Sequence, residues 1–178
     1  MRFSLNLQEE TVLKIEQERR LSNSLKIGKN MFWVFYISDN VSLEPEKTGK
    51  WMYFFNGDAD IDYISKLCSD AVEQGIVDKA KHTNPDTLGL NPHGTSDSGV
   101  CCFYLNYDDI EGHKRILTYF LENQMIKRTK AGKLYNISFK LDNQTKQGEY
   151  GSDFTGVLKL ADFVDLNTGE WIYTKEKV

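Results

Sequence analysis

Short runs of aromatic and β-branched residues recur along this chain, and they predict the strands of a β-sheet. The clearest runs are "FWVFYIS" (32–38) and "WMYFF" (51–55), which are joined by a polar stretch that contains Pro45 and Gly49. The run "LYNISFKL" (134–141) alternates between apolar and polar residues, as a strand with one buried face does. Further strands are predicted at 76–83 and 100–106, and within 155–166 and 170–174.

Apolar residues that recur every three or four positions predict three helices. The first covers residues 6–28, with Asn6 as its N-cap and Gly28 at its end, and its apolar stripe is thin. The second covers residues 58–75 and ends at Gly75; its buried stripe is predicted to contain Ile61, Ile64, Leu67, Cys68, Ala71 and Val72. The third is capped by Asp108 or Asp109, and its stripe is Ile116, Leu117, Phe120 and Leu121.

This order of elements predicts an α+β fold, since a helix follows a pair of strands twice before several strands close the chain. Helices that recur in this way pack best on one face of a largely antiparallel sheet, and the opposite face is left open. A chain of 178 residues is most simply one domain. We therefore expect a single domain over 1–178, with an N-terminal helical segment (1–30) and a sheet-and-helix core (31–178).

Composition narrows the classes of partner. A formal net charge of -4 argues against broad electrostatic binding of nucleic acid. The first residues have no apolar core of a signal peptide, and no stretch approaches 18 apolar residues, so we expect a cytoplasmic protein with no membrane span. Cys68, Cys101 and Cys102 form no disulfide or metal-binding pattern, and we expect buried structural thiols.

Alternation along the predicted strands indicates which side chains lie on the open face. If Ala80 packs under a helix, Lys79 and Lys81 lie on the open face, together with Asn136, Ser138 and Lys140. Three lysines beside amide and hydroxyl groups form a pocket suited to an anion such as phosphate. The alternative is that these lysines are simply solvated on the surface of the sheet.

A long polar loop follows the strand at 134–141. The stretch "DNQTKQGEYG" (142–151) is longer and richer in hydrogen-bonding groups than a hairpin needs. We expect it to close over one end of the sheet and to supply ligand contacts from Asn143, Gln144, Lys146 and Tyr150. The alternative is an ordinary connection in which these residues only shape the turn.

Signatures of catalysis are weak. His82 follows Lys81 directly and so lies on the opposite face of its strand, and a lone histidine is more often structural than catalytic. The histidines show no zinc-ligand spacing, and the chain has no P-loop, dinucleotide fingerprint or GxSxG motif. We therefore predict no metal, no cofactor and no catalytic residue.

Several blocks occur in an order that resembles the basophilic leukemia expressed protein family. They are "FWVFYIS", "TGKWMYFF", "DKAKHT", "GVCCFYLNYDD" and "LYNISFKLDNQT", within about residues 31–169. The resemblance implies the fold of the cap-binding translation initiation factor, a curved antiparallel sheet backed by helices. It also implies a phosphothreonine lyase domain, which uses a Lys-x-His pair on one strand. This chain has Lys81 and His82 adjacent instead, so it lacks that spacing. The resemblance also suggests tryptophans that stack a base, but we expect Trp33 and Trp51 to lie in the core.

The function that these features favour is non-catalytic recognition of a phosphorylated or nucleotide-like small molecule on the open face. Such a protein would act as a sensor or would sequester its ligand. Two alternatives stay open at this point: an enzyme that acts on a phosphorylated substrate, such as a phosphothreonine lyase, and a protein-interaction module or inhibitor from a mobile element with a protein partner.

Overall fold

The computed structural model describes residues 24–90, 98–143 and 158–173, and within them seven strands form one antiparallel sheet. The strand order across the sheet is β1-β2-β4-β5-β3-β6-β7. The longest pair, β3 with β5, joins nine residues of each strand in register from Thr48 opposite Asn106 to Asn56 opposite Ser98. The strands are β1 (Leu25–Lys29), β2 (Trp33–Ser38), β3 (Thr48–Asn56), β4 (Lys79–Thr83), β5 (Ser98–Asn106), β6 (Ser138–Leu141) and β7 (Leu158–Lys159).

Two α-helices, α1 (Ile61–Glu73) and α2 (Ile110–Glu122), follow β3 and β5. Asp60 caps α1 by accepting hydrogen bonds from the backbone N–H groups of its first turn, and Asp109 caps α2 in the same way. Single 3₁₀ segments lie at Pro85–Leu90 and Leu160–Asp162.

Both helices pack on the same face of the sheet. Cys101 and Phe103 share one face of β5, because they are two residues apart. The thiol of Cys101 contacts Cys68 of α1, and the ring of Phe103 meets Phe120 of α2 edge-on at 5.2 Å between centroids. The predicted α+β architecture, with helices on one face of an antiparallel sheet, is therefore confirmed. The closer likeness to the cap-binding initiation factor stays a prediction.

Most members of the predicted apolar stripes are buried, whereas Ile61 and Leu121 are half-buried at the edge of the core. Ile64, Leu67, Cys68, Ala71 and Val72 of α1 are buried, as are Ile116, Leu117 and Phe120 of α2. The three cysteines are free and buried, as expected.

Both helices end in the same hydrogen-bonded motif. After α1, Gly75 N–H donates to Val72 and Ile76 N–H to Ala71; after α2, Gln124 N–H donates to Leu121 and Met125 N–H to Phe120. This is the Schellman pattern, in which one residue has left-handed backbone. Gly75 has φ of 67° and Gln124 has φ of 54°. Only the first end uses the residue that tolerates this conformation without cost.

The predicted first helix is wrong at its C-terminal end. Residues 25–29 form the edge strand β1, which pairs with β2 from Leu25 opposite Ser38 to Lys29 opposite Val34. Gly28 lies inside this strand and ends no helix. All five residues of this stretch pair with β2, and this pairing prevails over the thin helical stripe. The rest of the predicted helix, residues 6–23, lies outside the described residues.

The C-terminal strands are shorter than predicted. The strand expected at 134–141 begins only at Ser138, and in the region 155–173 the described strand is Leu158–Lys159. Val164 and Trp171 form an isolated bridge instead of two long strands. Among the described residues, no helix has the length and apolar character needed to cross a bilayer.

Candidate functional site

A row of side chains with three lysines crosses the face of the sheet that is opposite to the helices. In register, Lys79 of β4 stands beside Tyr104 of β5, Tyr104 beside Lys50 of β3, and Lys50 beside Lys140 of β6. Their chain neighbours Ala80, Phe103 and Trp51 are fully buried on the helix side, which fixes the row to the open side. We call this surface the lysine face; it consists of Lys50, Lys79, Lys81, Lys140, Tyr104, Trp33, Phe35 and Asp142.

The ring of Tyr104 lies at the centre of three ammonium groups. The Nζ atoms of Lys79, Lys50 and Lys81 are 4.9, 5.6 and 5.8 Å from its centroid. These distances are within the range in which the face of an aromatic ring attracts a cation. The ring therefore helps to hold three like charges close together.

Lys81 reaches further into this aromatic surface. Its Nζ lies 3.7 Å from the centroid of the Trp33 ring and 5.9 Å from that of Phe35. Burial lowers the pKa of Lys81, and the neighbouring charges of Lys50 and Lys79 lower it further, whereas Cys102 and Asp142 oppose them. Among the described residues, neither Lys79 nor Lys81 forms a salt bridge.

Lys50 and Lys140 stand directly opposite each other on neighbouring strands, and both residues are buried. Like charges placed directly opposite destabilise a sheet. The carboxylate of Asp142, just after β6, lies 2.8 Å from the ammonium of Lys50 and offsets part of this repulsion. The arrangement is thus a concentrated positive site on a protein with a net negative charge.

Two further groups on this face keep their protons at neutral pH. Burial raises the pKa of the Cys102 thiol to about 11, although Lys81 and Lys50 lower it in part. Burial also raises the pKa of the Tyr104 hydroxyl. Neither group adds negative charge beside the lysines.

The structure places Lys79, Lys81 and Lys140 on the open face, as the alternation predicts, and Ser138 lies on the same side of β6 as Lys140. Asn136 precedes this strand, and its side-chain oxygen accepts a hydrogen bond from Ala161 N–H at 2.9 Å, which gives it a structural role. Asn143 is exposed directly after Asp142. Gln144, Lys146 and Tyr150 lie outside the described residues. The role of all these residues in binding stays a prediction.

His82 lies on the helix side, opposite to Lys81, as predicted. Its Nδ1–H donates to the Thr83 carbonyl at 2.8 Å, and Nε2 contacts the hydroxyl groups of Tyr36 and Ser65 at 3.1 and 3.3 Å. Burial lowers the pKa of His82, so the ring is neutral at physiological pH. Lys81 and His82 therefore cannot act together as a base and an acid on one substrate.

Sequence reasoning missed Lys50, Tyr104, Trp33 and Asp142. Trp51 is in the core as expected, but Trp33 is not: it is half-buried and packs against Lys81 on the open face. The sequence could have pointed to Lys50, because it is a charged residue in the apolar run of β3. It lies on the same face of the strand as Met52 and on the opposite face from Trp51. Tyr104 gave no such signal, since β5 is buried on both faces along most of its length.

A separate cavity of about 430 Å³ lies near the end of α2, away from the lysine face. It is lined by Phe120, Leu121, Gln124, Ile126, Arg128 and Leu134. Its lining contains one charged side chain, Arg128, whereas the lysine face contains four lysines and a carboxylate. Within the three described ranges, no three His, Cys, Asp or Glu side chains are grouped as a metal site would require.

No protein-family model matches this chain, and its comparison with curated proteins gives no match either. The resemblance to the basophilic leukemia expressed protein family therefore stays a prediction.

Proposed function

We propose that this chain is a cytosolic binding protein that recognises a phosphorylated or nucleotide-like small molecule on the lysine face, as a sensor or a sequestering protein. The observation that carries the proposal is a row of lysines from three neighbouring positions in the sheet: Lys79 of β4 and Lys50 of β3 flank the ring of Tyr104, and Lys140 of β6 stands beside Lys50.

The chemistry of the face suits a ligand with two parts. A phosphate group relieves the repulsion between the ammonium groups and forms charge-assisted hydrogen bonds with them. A planar ring can stack on Trp33, which is half-buried and whose face now contacts the ammonium of Lys81 at 3.7 Å. A nucleotide or a small aromatic phosphate combines both parts, whereas a nucleoside without phosphate offers only the second.

The first experiment measures thermal unfolding with ATP, ADP, AMP, adenosine and inorganic pyrophosphate. A ligand at about a hundredfold excess over its Kd stabilises the native protein by about 2.7 kcal/mol. We expect stabilisation by at least one phosphorylated compound and none by adenosine. The effect should weaken as salt is added, because the interaction is ionic.

Variants then locate the site. Lys79→Met and Lys81→Met should each weaken the affinity for the best ligand about tenfold, or about 1.4 kcal/mol. The control is Lys66→Met, which removes an exposed lysine paired with Asp70 on α1, on the other side of the sheet. Equal affinity in all three variants would place the ligand elsewhere. A flat response of the wild-type protein to all compounds would instead favour a protein-interaction module.

The lowered pKa of Lys81 favours one second candidate, an enzyme that acts on a phosphorylated substrate. A lysine with a lowered pKa is a better general base at neutral pH. A phosphothreonine lyase of the Lys-x-His type is less well supported, because His82 is buried on the helix side. Release of phosphate from phosphothreonine peptides that is lost in Lys81→Met but kept in His82→Ala would support this candidate and its lysine base.

A further inference from the structure

The side chain of Lys81 combines features that a lysine nucleophile requires. It is partly buried between the rings of Trp33 and Phe35, and among the described residues it forms no salt bridge. Two other cations, Lys50 and Lys79, flank it across the ring of Tyr104. Lysines become nucleophilic when they are desolvated in an apolar pocket or placed beside another cationic group. Lys81 has both an apolar surface of rings and two cationic neighbours.

We propose that Lys81 condenses with the carbonyl group of a phosphorylated aldehyde held on the lysine face. This inference deepens the proposed function and rests on its phosphate recognition, since Lys50 and Lys79 would bind the phosphate while Lys81 attacks the carbonyl carbon. The flat rings of Trp33 and Phe35 form the wall beside the reacting carbon.

The reaction is a dehydration that needs no oxidant or reductant. The lone pair of the neutral Lys81 amine forms a C–N bond, and the carbonyl π electrons move to the oxygen, which takes up a proton. The nitrogen then loses one proton, the oxygen is protonated again and leaves as water while the nitrogen lone pair forms the C=N bond, and loss of the second proton from nitrogen leaves the neutral imine. One aldehyde and one amine thus give one imine and one water molecule.

The charged and titratable groups around Lys81 favour the amine over the neighbouring thiol as the nucleophile. Lys79 on its own strand and Lys50 on β3 disfavour the ammonium form, whereas Asp142 and the contact with the Trp33 ring favour it. Cys102 stands opposite Lys81 in register, but burial raises the pKa of its thiol to about 11, so it is not a thiolate at neutral pH.

The test uses the whole protein with pyridoxal 5′-phosphate as the probe and pyridoxal as the probe without phosphate. Sodium borohydride traps the imine as a stable secondary amine, and peptide mass spectrometry locates it. At pH 7, we expect pyridoxal 5′-phosphate to label Lys81 at least about tenfold faster than the exposed lysines Lys26 and Lys66, in line with a nucleophile activated by its surroundings. With pyridoxal, the preference for Lys81 over Lys26 and Lys66 should fall at least about tenfold, since this probe lacks the phosphate contacts.

The variant Lys81→Arg separates nucleophile from charge. Arginine keeps the positive charge but forms no imine with the probe, so adduct formation at this position should be lost, whereas the control Lys66→Arg on α1 should leave the labelling of Lys81 unchanged. Labelling of Lys81 no faster than that of Lys26 and Lys66 would overturn the inference. If phosphorylated ligands bind nevertheless, the proposed function stands without it. An equal preference for Lys81 over Lys26 and Lys66 with both probes would overturn the phosphorylated class of substrate.

Discussion

The buried side chain of His113 should cause the free energy of unfolding to decrease as the pH falls below 6.5. The ring is fully buried on the helix side of the sheet, where it packs edge-on against Phe139 at 4.8 Å between centroids. Its Nδ1 accepts a hydrogen bond from the indole N–H of Trp51 at 3.0 Å, and its Nε2–H donates to the Tyr107 carbonyl at 3.0 Å. The tautomer follows from these partners, because an indole nitrogen only donates and a carbonyl only accepts.

Burial lowers the pKa of His113 from its ordinary value of 6.5 to about 4, against the opposing effects of the Tyr107 carbonyl and of Asp109. Protonation at Nδ1 would also set two donors against each other at Trp51. Above pH 6.5 the ring is neutral in both the folded and the unfolded chain and adds no pH dependence. Between pH 6.5 and 4 the unfolded chain binds a proton that the folded chain does not, so the free energy of unfolding decreases as the pH falls.

The size of the effect follows from the two pKa values. The full loss is about 3 kcal/mol below pH 4, and about 2 kcal/mol is already lost at pH 5. Loss of this size is a large part of the stability of a typical domain. Because carboxylates and His82 titrate in the same direction, the measurement must isolate His113.

Urea unfolding at pH 7.5, 6 and 5 should compare the wild-type protein with His113→Asn. The asparagine oxygen can still accept from Trp51, and the side chain does not titrate. Between pH 7.5 and 5 we expect the wild-type protein to lose about 2 kcal/mol more than the variant. A difference below about 0.5 kcal/mol would refute the reasoning, since it would mean that His113 has equal proton affinity in both states. If the variant does not fold, an NMR titration of the wild-type ring gives the same test: a pKa near 6.5 contradicts it.

Three further predictions concern single side chains. Gln124→Gly should raise the free energy of urea unfolding by about 0.5–1 kcal/mol, because glycine adopts the left-handed backbone at this position more easily than glutamine. Gly75→Ala should lower it by about 1 kcal/mol for the opposite reason. A change of the same sign in both variants would contradict this. Gly49→Ala should lower it by about 2 kcal/mol or more, since the new Cβ would lie 2.6 Å from ring carbons of Phe139; an unchanged midpoint would refute the packing. His82→Ala should lower stability but change the affinity for a phosphorylated ligand less than about twofold, because the ring lies on the other face of its strand; a loss of about a hundredfold would restore a catalytic histidine.

The sequence was most informative where one face of an element is buried and the other is not. The stripe of α1 and the alternation of Lys79, Ala80, Lys81 and His82 both predicted the side on which these residues lie. In each case one short period is present and the opposite side is polar, so the pattern specifies the orientation directly.

Prediction failed where local pattern competes with pairing to a distant strand. Residues 25–29 are too few to show a period clearly, and β1 exists because it completes its pairing with β2. The centre of the site was hidden for a related reason. Tyr104 and Trp33 are aromatic residues in strongly apolar strands, and only the register across β2, β4 and β5 shows that they lie beside lysines.

The two faces of the sheet separate two kinds of proton chemistry, and this limits which reactions the lysine face can support. His82 and His113 are buried and neutral on the helix side, where burial lowers the pKa of each ring. The titratable groups that could act as an acid on the described part of the lysine face are the lysine ammonium groups, the Tyr104 hydroxyl and the Cys102 thiol. An elimination that expels phosphate there would have to use one of these as its acid, and Tyr104 is poorly suited because burial raises its pKa. Binding of phosphate needs no such acid, and imine formation exchanges its protons with the amine and water, so both fit this face better than a histidine-assisted elimination.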